Sequence, residues 1–277
     1  MRIIPAFGLA LLIGLTVGCE EPPPSKLNHG KPSPFLSKKP ADQPGAASDK
    51  AAHDNQTSSD KSSSKSSQSA ETKTVKLGPG LHLEVQGERR RILIESIVVL
   101  RELGSIGLEC LVCKKDYKEH ESILATHAKA KEIHAALEAC RAKPGHPVKY
   151  QDRKVIPPTG SPVRITLRYE DKKRGIVEVD AREWVMNIKT KKPLEHDWVF
   201  AGSKIYKSLD EPDKPPVYAA DAEGGYICIA NVVTALLDLP VYSPKGEFDR
   251  GYVPWTEKIP ELDTPVTVIL EPLPEKN

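Results

Sequence analysis

The chain has 277 residues, with 40 Lys and Arg against 38 Asp and Glu and a net charge of +2. Basic side chains dispersed among acids at that balance exclude nucleic acid or an acidic polymer as the main partner. At the N-terminus, Arg2 precedes an apolar stretch from Ile3 to Val17, which ends in Leu15-Thr16-Val17-Gly18-Cys19. A cationic start, an apolar segment and a small residue before the break predict a secretory signal over 1–18. A membrane-spanning helix fits less well, because the run is shorter than the roughly 20 residues that cross hydrocarbon. Glu20, Glu21 and three prolines follow it at once.

Cys19 directly after Gly18 resembles the lipobox of bacterial lipoproteins, although Thr16 stands where Leu is usual and Leu15 lies one place further back. The resemblance implies that the Cys19 sulfur is diacylated, that Cys19 becomes the mature N-terminus, and that its amine can be acylated as well. Two or three acyl chains anchor stably where one does not. The expectation is a bacterial cell-envelope protein held to a membrane by its N-terminal lipid, on the periplasmic or outer surface. From Glu20 to Thr74 the only large apolar residues are Leu27, Phe35 and Leu36, and the stretch ends in the Ser/Lys run from Ser58 to Ser69. Such a segment cannot bury enough surface to offset chain entropy. Residues 19–74 therefore read as a lipidated disordered tether, about 55 residues with an end-to-end distance of roughly 40 Å.

Residues 75–277, about 200 in number, suit one domain with a sizeable core. Leu81 to Val85 and Arg91 to Leu100 are β-rich and bounded by glycines. Ile106 to Cys113, a turn at Lys114 to Lys118, and His120 to Thr126 read as a hairpin. From Lys129 to Arg141 the period is helical, with Ile133, Ala136, Leu137 and Cys140 on one stripe and Pro144-Gly145 as the stop. Val163 to Tyr169, a turn at Asp171 to Gly175, and Ile176 to Val179 form a further β stretch, followed by a run to Lys189. The last third repeats the earlier order: Val217 to Ala220, a turn at Glu223-Gly224-Gly225, Tyr226 to Ile229, then a helix over Asn231 to Leu237 stopped by Pro240. A strand from Pro265 to Leu270 closes the domain. These elements predict an α+β fold, a mostly antiparallel sheet with two principal helices.

A family resemblance rests on several segments in order: Glu109-Cys110-x-x-Cys113, Lys118-Glu119-His120-Glu121-Ser122-Ile123, Lys129-Ala130-Lys131-x-x-His134-Ala135-Ala136-Leu137, Pro144-Gly145-x-Pro147-Val148, Glu183-Trp184-Val185, Trp198 to Ser203, and Leu237-Asp238-Leu239-Pro240. From about residue 80 to 272 the chain resembles the YdjY-domain family of bacterial envelope proteins. The resemblance implies an envelope setting and carries no established activity. Some members bear a loose ferredoxin-like label. An iron–sulfur cluster needs four Cys in a close run, and this chain has a single C-x2-C, which argues against one.

Cys110, Cys113, His120 and Cys228 form the candidate metal or thiol site, with zinc as the metal it would hold. Three residues apart on a straight strand, Cys110 and Cys113 face opposite sides, so joint chelation or a disulfide needs a turn at Val112. Lys114 and Lys115 nearby would lower a thiol pKa. Cys140 and Cys228 also fit small buried hydrophobes. In an oxidising compartment four mature cysteines allow two disulfides in three connectivities. The candidate polar site is Glu121, Ser122, His196 and Asp197: His120 and Ser122, two apart on a strand, share a face with Glu121 opposite. No G-x-S-x-G elbow accompanies them. His134 and His146 are further histidines that could converge there. Phe200-Ala201-Gly202-Ser203 reads as a close approach for a ligand or a tight turn, and Asp221 and Glu223 as a surface turn. The leading expectation is a membrane-anchored lipoprotein whose domain binds an envelope protein or small ligand. A metal- or thiol-dependent protein and a hydrolase centred on His120 and Ser122 are the alternatives.

Overall fold

The computed structural model describes residues 71–103, 107–152, 154–207, 213–241 and 251–274. The signal over 1–18, Cys19, the tether as far as residue 70, and Ile106 at the start of the expected hairpin lie outside the described residues. The first strand, β1 (Thr72–Gly78), already takes in the last residues assigned to the tether.

Alternating side chains set the framework. In β3 (Arg89–Val98) Ile92, Ile94, Ser96 and Val98 are buried, while the residues between them are partly or fully exposed. β2 (Leu81–Gln86) pairs with it antiparallel and β1 with β2. β4 (Cys110–Lys114) and β5 (Ser122–Thr126) follow. β6 (Pro162–Asp171) buries Val163, Ile165, Leu167 and Tyr169 in the same period-two pattern, and β7 (Gly175–Asp180) folds back on it. The remaining strands are β8 (Trp198–Phe200), β9 (Ile205–Tyr206), β10 (Val217–Tyr218), β11 (Gly225–Cys228), β12 (Leu237–Asp238) and β13 (Pro265–Pro272). Short ladders over 144–160, and of Val185–Asn187 with Tyr252–Pro254, lie off this framework.

The sheet closes on itself. Its order runs β3, β13, β6, β8, β12, β11, β4, β5, and β5 returns to β3 through Ile97↔Ala125 and Val98↔Leu124. β2 covers the same edge of β3 only as far as Ile94, which leaves the last residues of that edge for β5. The N–H of Val99 donates to the Ile123 carbonyl at 2.9 Å, and the Thr126 hydroxyl donates to the Glu95 carbonyl at 2.6 Å. A ring of this size has an interior that side chains can fill. Trp184, Trp198, Phe200 and Tyr226 are the largest fully buried side chains among the described residues.

This corrects the α+β expectation. The described residues are 47% strand and 12% helical and form a closed eight-stranded barrel. One principal helix stands as expected: α1 (Ala130–Ala139) buries Ile133, Ala136 and Leu137, with Cys140 at its end. The second does not. Val232, Val233 and Thr234 are β-branched and stiff at χ1, and the segment runs through turns into β12. The only other α-helix among the described residues is α2 (Ala219–Glu223), where a strand end was expected; it stops at Gly224, whose φ of 83° suits glycine. The expected hairpin of β4 and β5 is also replaced. The two strands are parallel, Cys110 opposite Ser122, because Glu119–Glu121 forms a 3-10 turn that carries the chain back before β5 begins.

Trp198 is fully buried and its indole N–H donates to the Cys228 carbonyl at 2.8 Å, linking β8 to β11. Trp198→Phe orphans that carbonyl and should cost about 1–3 kcal/mol. A urea titration checks this: a lower midpoint at unchanged slope is expected, and an unchanged midpoint would contradict the linkage.

Candidate functional site

Glu109 stands just before β4, held by its backbone from both sides: its N–H donates to the Glu121 carbonyl at 3.0 Å, and its carbonyl accepts from Ile229 at 2.7 Å. Its side chain is buried and takes a hydrogen bond from the Lys118 ammonium, which also lies 3.3 Å from the buried Glu121 carboxylate. Burial works against that ammonium. The hydrogen bond and charge of Glu109 outweigh it and hold Lys118 well above the ordinary lysine value. Two carboxylates and one ammonium thus form a buried ion cluster beside β4.

The thiols divide around it. Cys110 on β4 and Cys228 on β11 are register partners, with their sulfurs 3.4 Å apart. They pack with Ala235 and Val232 in a small cluster separate from the main core, with Glu109 Oε1 4.0 Å from the Cys110 sulfur. Gly225 leaves room beneath them: a Cβ there would lie 3.4 Å from the Cys228 sulfur and 3.6 Å from that of Cys110. The Cys228 thiol is pushed well above its ordinary value by its hydrogen bond with Cys110, by burial, and by the charges of Asp238 and Glu109. Cys113 is not in this pair. β4 runs on through Val112 without a turn and is buried from Cys110 to Cys113, and its register with β11 is irregular on both sides of Ile227↔Val112. Burial pushes the Cys113 thiol up to about 12, with the Ser122 hydroxyl and the Lys118 N–H pulling the other way. Ser122 Oγ is itself a buried polar group that makes no hydrogen bond of ordinary geometry among the described residues.

The expected lowering of thiol pKa by the neighbouring lysines is therefore reversed. Lys114 Nζ donates to the Asp221 carbonyl at 2.9 Å and sits over the Tyr117 ring, Lys115 pairs with Glu119 at 2.7 Å, and Lys118 is taken by Glu109. Among the described residues no group of three or more His, Cys, Asp or Glu is arranged to hold a metal ion. Cys110, Cys113, His120 and Cys228 accordingly do not meet as a set. His120 is exposed on the 3-10 turn, 4.0 Å from Glu121, whereas Ser122 is fully buried. They do not share a face, because three residues per turn replace the strand's two. His196 is exposed and Asp197 lies 3.6 Å from Arg182. They precede β8, four places from β5 whichever way the ring is followed. The hydrolase constellation is spread across the barrel.

His134 and His146 also stay apart from His120. His134 Nδ1 lies 2.9 Å from the Tyr218 hydroxyl, which donates to the Gly202 carbonyl, and its ring meets Phe200 edge-on. His146 Nδ1 lies 2.9 Å from the Pro147 carbonyl. Phe200 to Ser203 is not a tight turn: it runs on from β8, with the Gly202 and Ser203 N–H groups donating to the Leu236 and Ala235 carbonyls at 3.0 Å, Gly202 at φ 84° with Pro144 Cβ 2.8 Å from where a Cβ would lie, and the Ser203 hydroxyl accepting from Ala220 N–H while donating to the Thr234 carbonyl. Asp221 does more than turn a corner. Its carboxylate accepts the Ala130 and Lys131 N–H groups at the start of α1 and the Tyr226 hydroxyl. A cap supplied from 90 residues away has no local sequence signature, since α1 has no side-chain cap of its own.

These features define a closed β-barrel carrying a buried ion cluster and a thiol pair on adjacent strands. A family model described as the YdjY domain matches residues 83–271, more than half of the chain, and the chain belongs to the YdjY-domain family. Neither the curated proteins nor the solved structures provide a match.

Lys118→Met leaves Glu109 and Glu121 buried without their shared cation. The expected cost is about 3 kcal/mol, at the low end for breaking a buried pair, because the Lys118 side chain keeps 24% of its exposure. The Lys118 value is raised on folding, so its contribution is complete below the ordinary lysine value of about 10.4 and fades as pH rises through the raised one. Chemical denaturation of both proteins should show a gap that is largest near neutrality, narrows in strong alkali as Lys118 loses its proton, and narrows in acid as the stranded carboxylates of the variant take up protons. No gap at neutral pH, or one that persists undiminished through strong alkali, would contradict the assignment.

Proposed function

We propose that the protein is a lipid-anchored protein of the bacterial envelope whose YdjY barrel binds a partner protein there. The observation that carries the binding part is the exposed ladder of β9 and β10. Ile205, Tyr206 and Val217 are 71%, 42% and 48% exposed on two paired strands of two residues each. Singly exposed apolar residues are ordinary, whereas a small ladder that exposes apolar side chains on both faces, Tyr206 beside Val217 on one and Ile205 on the other, offers an apolar edge of the kind that partners cover. The ladder is also fixed rather than loose. Tyr218 ties it to His134 and Gly202, and the Tyr206 hydroxyl reaches Glu223. A rigid apolar ledge loses little conformational freedom on binding.

The anchoring part is supported by the lipobox-like run ending at Cys19 and by the Pro/Ser/Lys composition that follows it. Among the described residues no helix is long and apolar enough to cross a membrane. An acyl anchor on a polar tether would leave the barrel reaching into the envelope space.

Two measurements test the two parts. Cells fed an alkyne fatty acid should yield labelled protein in the membrane fraction, and Cys19→Ser should abolish both the label and the sedimentation with membranes. Retained label in that variant would sink the anchor. For the ledge, Ile205→p-benzoylphenylalanine should give a discrete photo-adduct in intact cells that the same replacement at exposed Lys131 does not. Identical adduct patterns at the two positions would remove the ledge as a binding surface.

A further inference from the structure

We infer that Cys110 and Cys228 are joined by a disulfide in the mature protein, cross-linking β4 to β11, and that Cys113 and Cys140 remain thiols. Of the three possible pairings of four cysteines into two bridges none is complete here, and a single bridge is selected by place.

The sulfurs of Cys110 and Cys228 lie 3.4 Å apart and both residues are fully buried. They face each other as register partners on adjacent antiparallel strands. Opposed Cα atoms in such ladders are about 4.5–5.5 Å apart, inside the span of roughly 4.4–6.8 Å that disulfides bridge. The register shifts between Ile227 and Cys228, a bulge that adds local twist and eases a cross-strand bridge. Gly225 has no side chain to crowd the sulfurs, and the nearest atoms to where its Cβ would lie are the Cys228 sulfur at 3.4 Å, the Cys110 sulfur at 3.6 Å and Glu109 Oε1 at 3.8 Å. Cys113 sits beside Ser122, near enough to feel the charge of Cys110, but the sulfurs in contact among the described residues are those of Cys110 and Cys228; Cys140 ends α1 against Arg90.

The step balances by exchange. One cysteine, as thiolate, attacks the disulfide of an envelope thiol–disulfide oxidoreductase and releases that enzyme's first sulfur as a thiol. The second cysteine attacks the mixed disulfide at the protein sulfur and releases the other. One S–S bond forms as one breaks, the oxidoreductase is reduced by two electrons, and the two thiol protons end on its sulfurs. Because both sulfurs are buried once β11 lies on β4, the exchange belongs to folding. The finished bridge resists reduction, since the burial and carboxylate charges that raise the Cys228 thiol make it a poor leaving group. The bridge is a structural staple that closes a long segment of chain.

Formation in the cell rests on the envelope placement proposed above, so the test has two arms. The full chain is taken from membranes into denaturant with N-ethylmaleimide, digested and mapped by mass spectrometry. The Cys110 and Cys228 peptides should be linked and the Cys113 and Cys140 peptides blocked. In the second arm the reduced, unfolded full chain is refolded in mixed oxidised and reduced glutathione, and the same link should form wherever the cell puts the protein. Failure in the second arm, or a link involving Cys113 in either, overturns the pairing. A link in the second arm with none in the first overturns formation in the cell if Cys19 carries lipid. If Cys19 is unmodified, the same result overturns the envelope placement and upholds the pairing. Cys113→Ser should keep the link, and Cys228→Ser should lower the denaturation midpoint more under oxidising than under reducing conditions.

Discussion

The contact of Ile97 and Val98 with Leu124 and Ala125 turns a twisted sheet into a ring, and the placement of the chemistry-bearing residues follows from it. β3 is long enough to serve β2 over its first half and β5 at its end, with β13 along its other edge. Without the pairing of β3 with β5, β5 would be the outer strand of an open sheet, and exposed strand edges recruit foreign strands. With it, β4 and β5 are buried along nearly their whole length. Closure therefore carries Glu109, Cys110, Cys113 and Ser122 into the interior of the fold, though none is an apolar core former of the usual kind.

Burial at that place has electrostatic consequences. A carboxylate taken out of water must be matched, and Glu109 and Glu121 share one lysine supplied by the connection between β4 and β5. The same connection brings Lys115 to Glu119. The run from Lys114 to Glu121 carries three lysines and three acids, and its lysines are engaged by the Asp221 carbonyl, Glu119 and Glu109 rather than by the thiols. Burial raises the Cys113 thiol, and the hydrogen bond with Cys110 together with burial raises that of Cys228, which favours thiol over thiolate at both. Asp221 works in the same economy, its carboxylate capping α1 and taking the Tyr226 hydroxyl.

Periodicity made much of the chain legible. The alternation in Arg91 to Val98 and in Val163 to Tyr169, the turn before Ile176, and the stripe of Ile133, Ala136 and Leu137 all correspond to observed elements. What was hidden is non-local. Whether β4 and β5 pair parallel or antiparallel depends on a 3-10 turn of three residues, and whether a sheet is open or closed depends on two residues at the end of one strand. The second helix misled because apolar residues from Val232 to Leu237 suit either period, and short runs do not decide between them. At the site, the C-x2-C spacing drew attention to Cys110 and Cys113, whereas the true neighbour of Cys110 is 118 residues away. The one local hint was Gly224-Gly225 ahead of Cys228, whose bare backbone lets β11 approach the thiols and Tyr117.

Ring closure is the claim on which the thiol pair, the ion cluster and the correction of fold class all depend, and nuclear magnetic resonance of the full chain tests it directly. The account predicts backbone Overhauser contacts between Ile97 and Ala125, together with a slowly exchanging Val99 amide bonded to the Ile123 carbonyl. Absence of those contacts, with β5 found antiparallel to β4 in an open sheet, would contradict it.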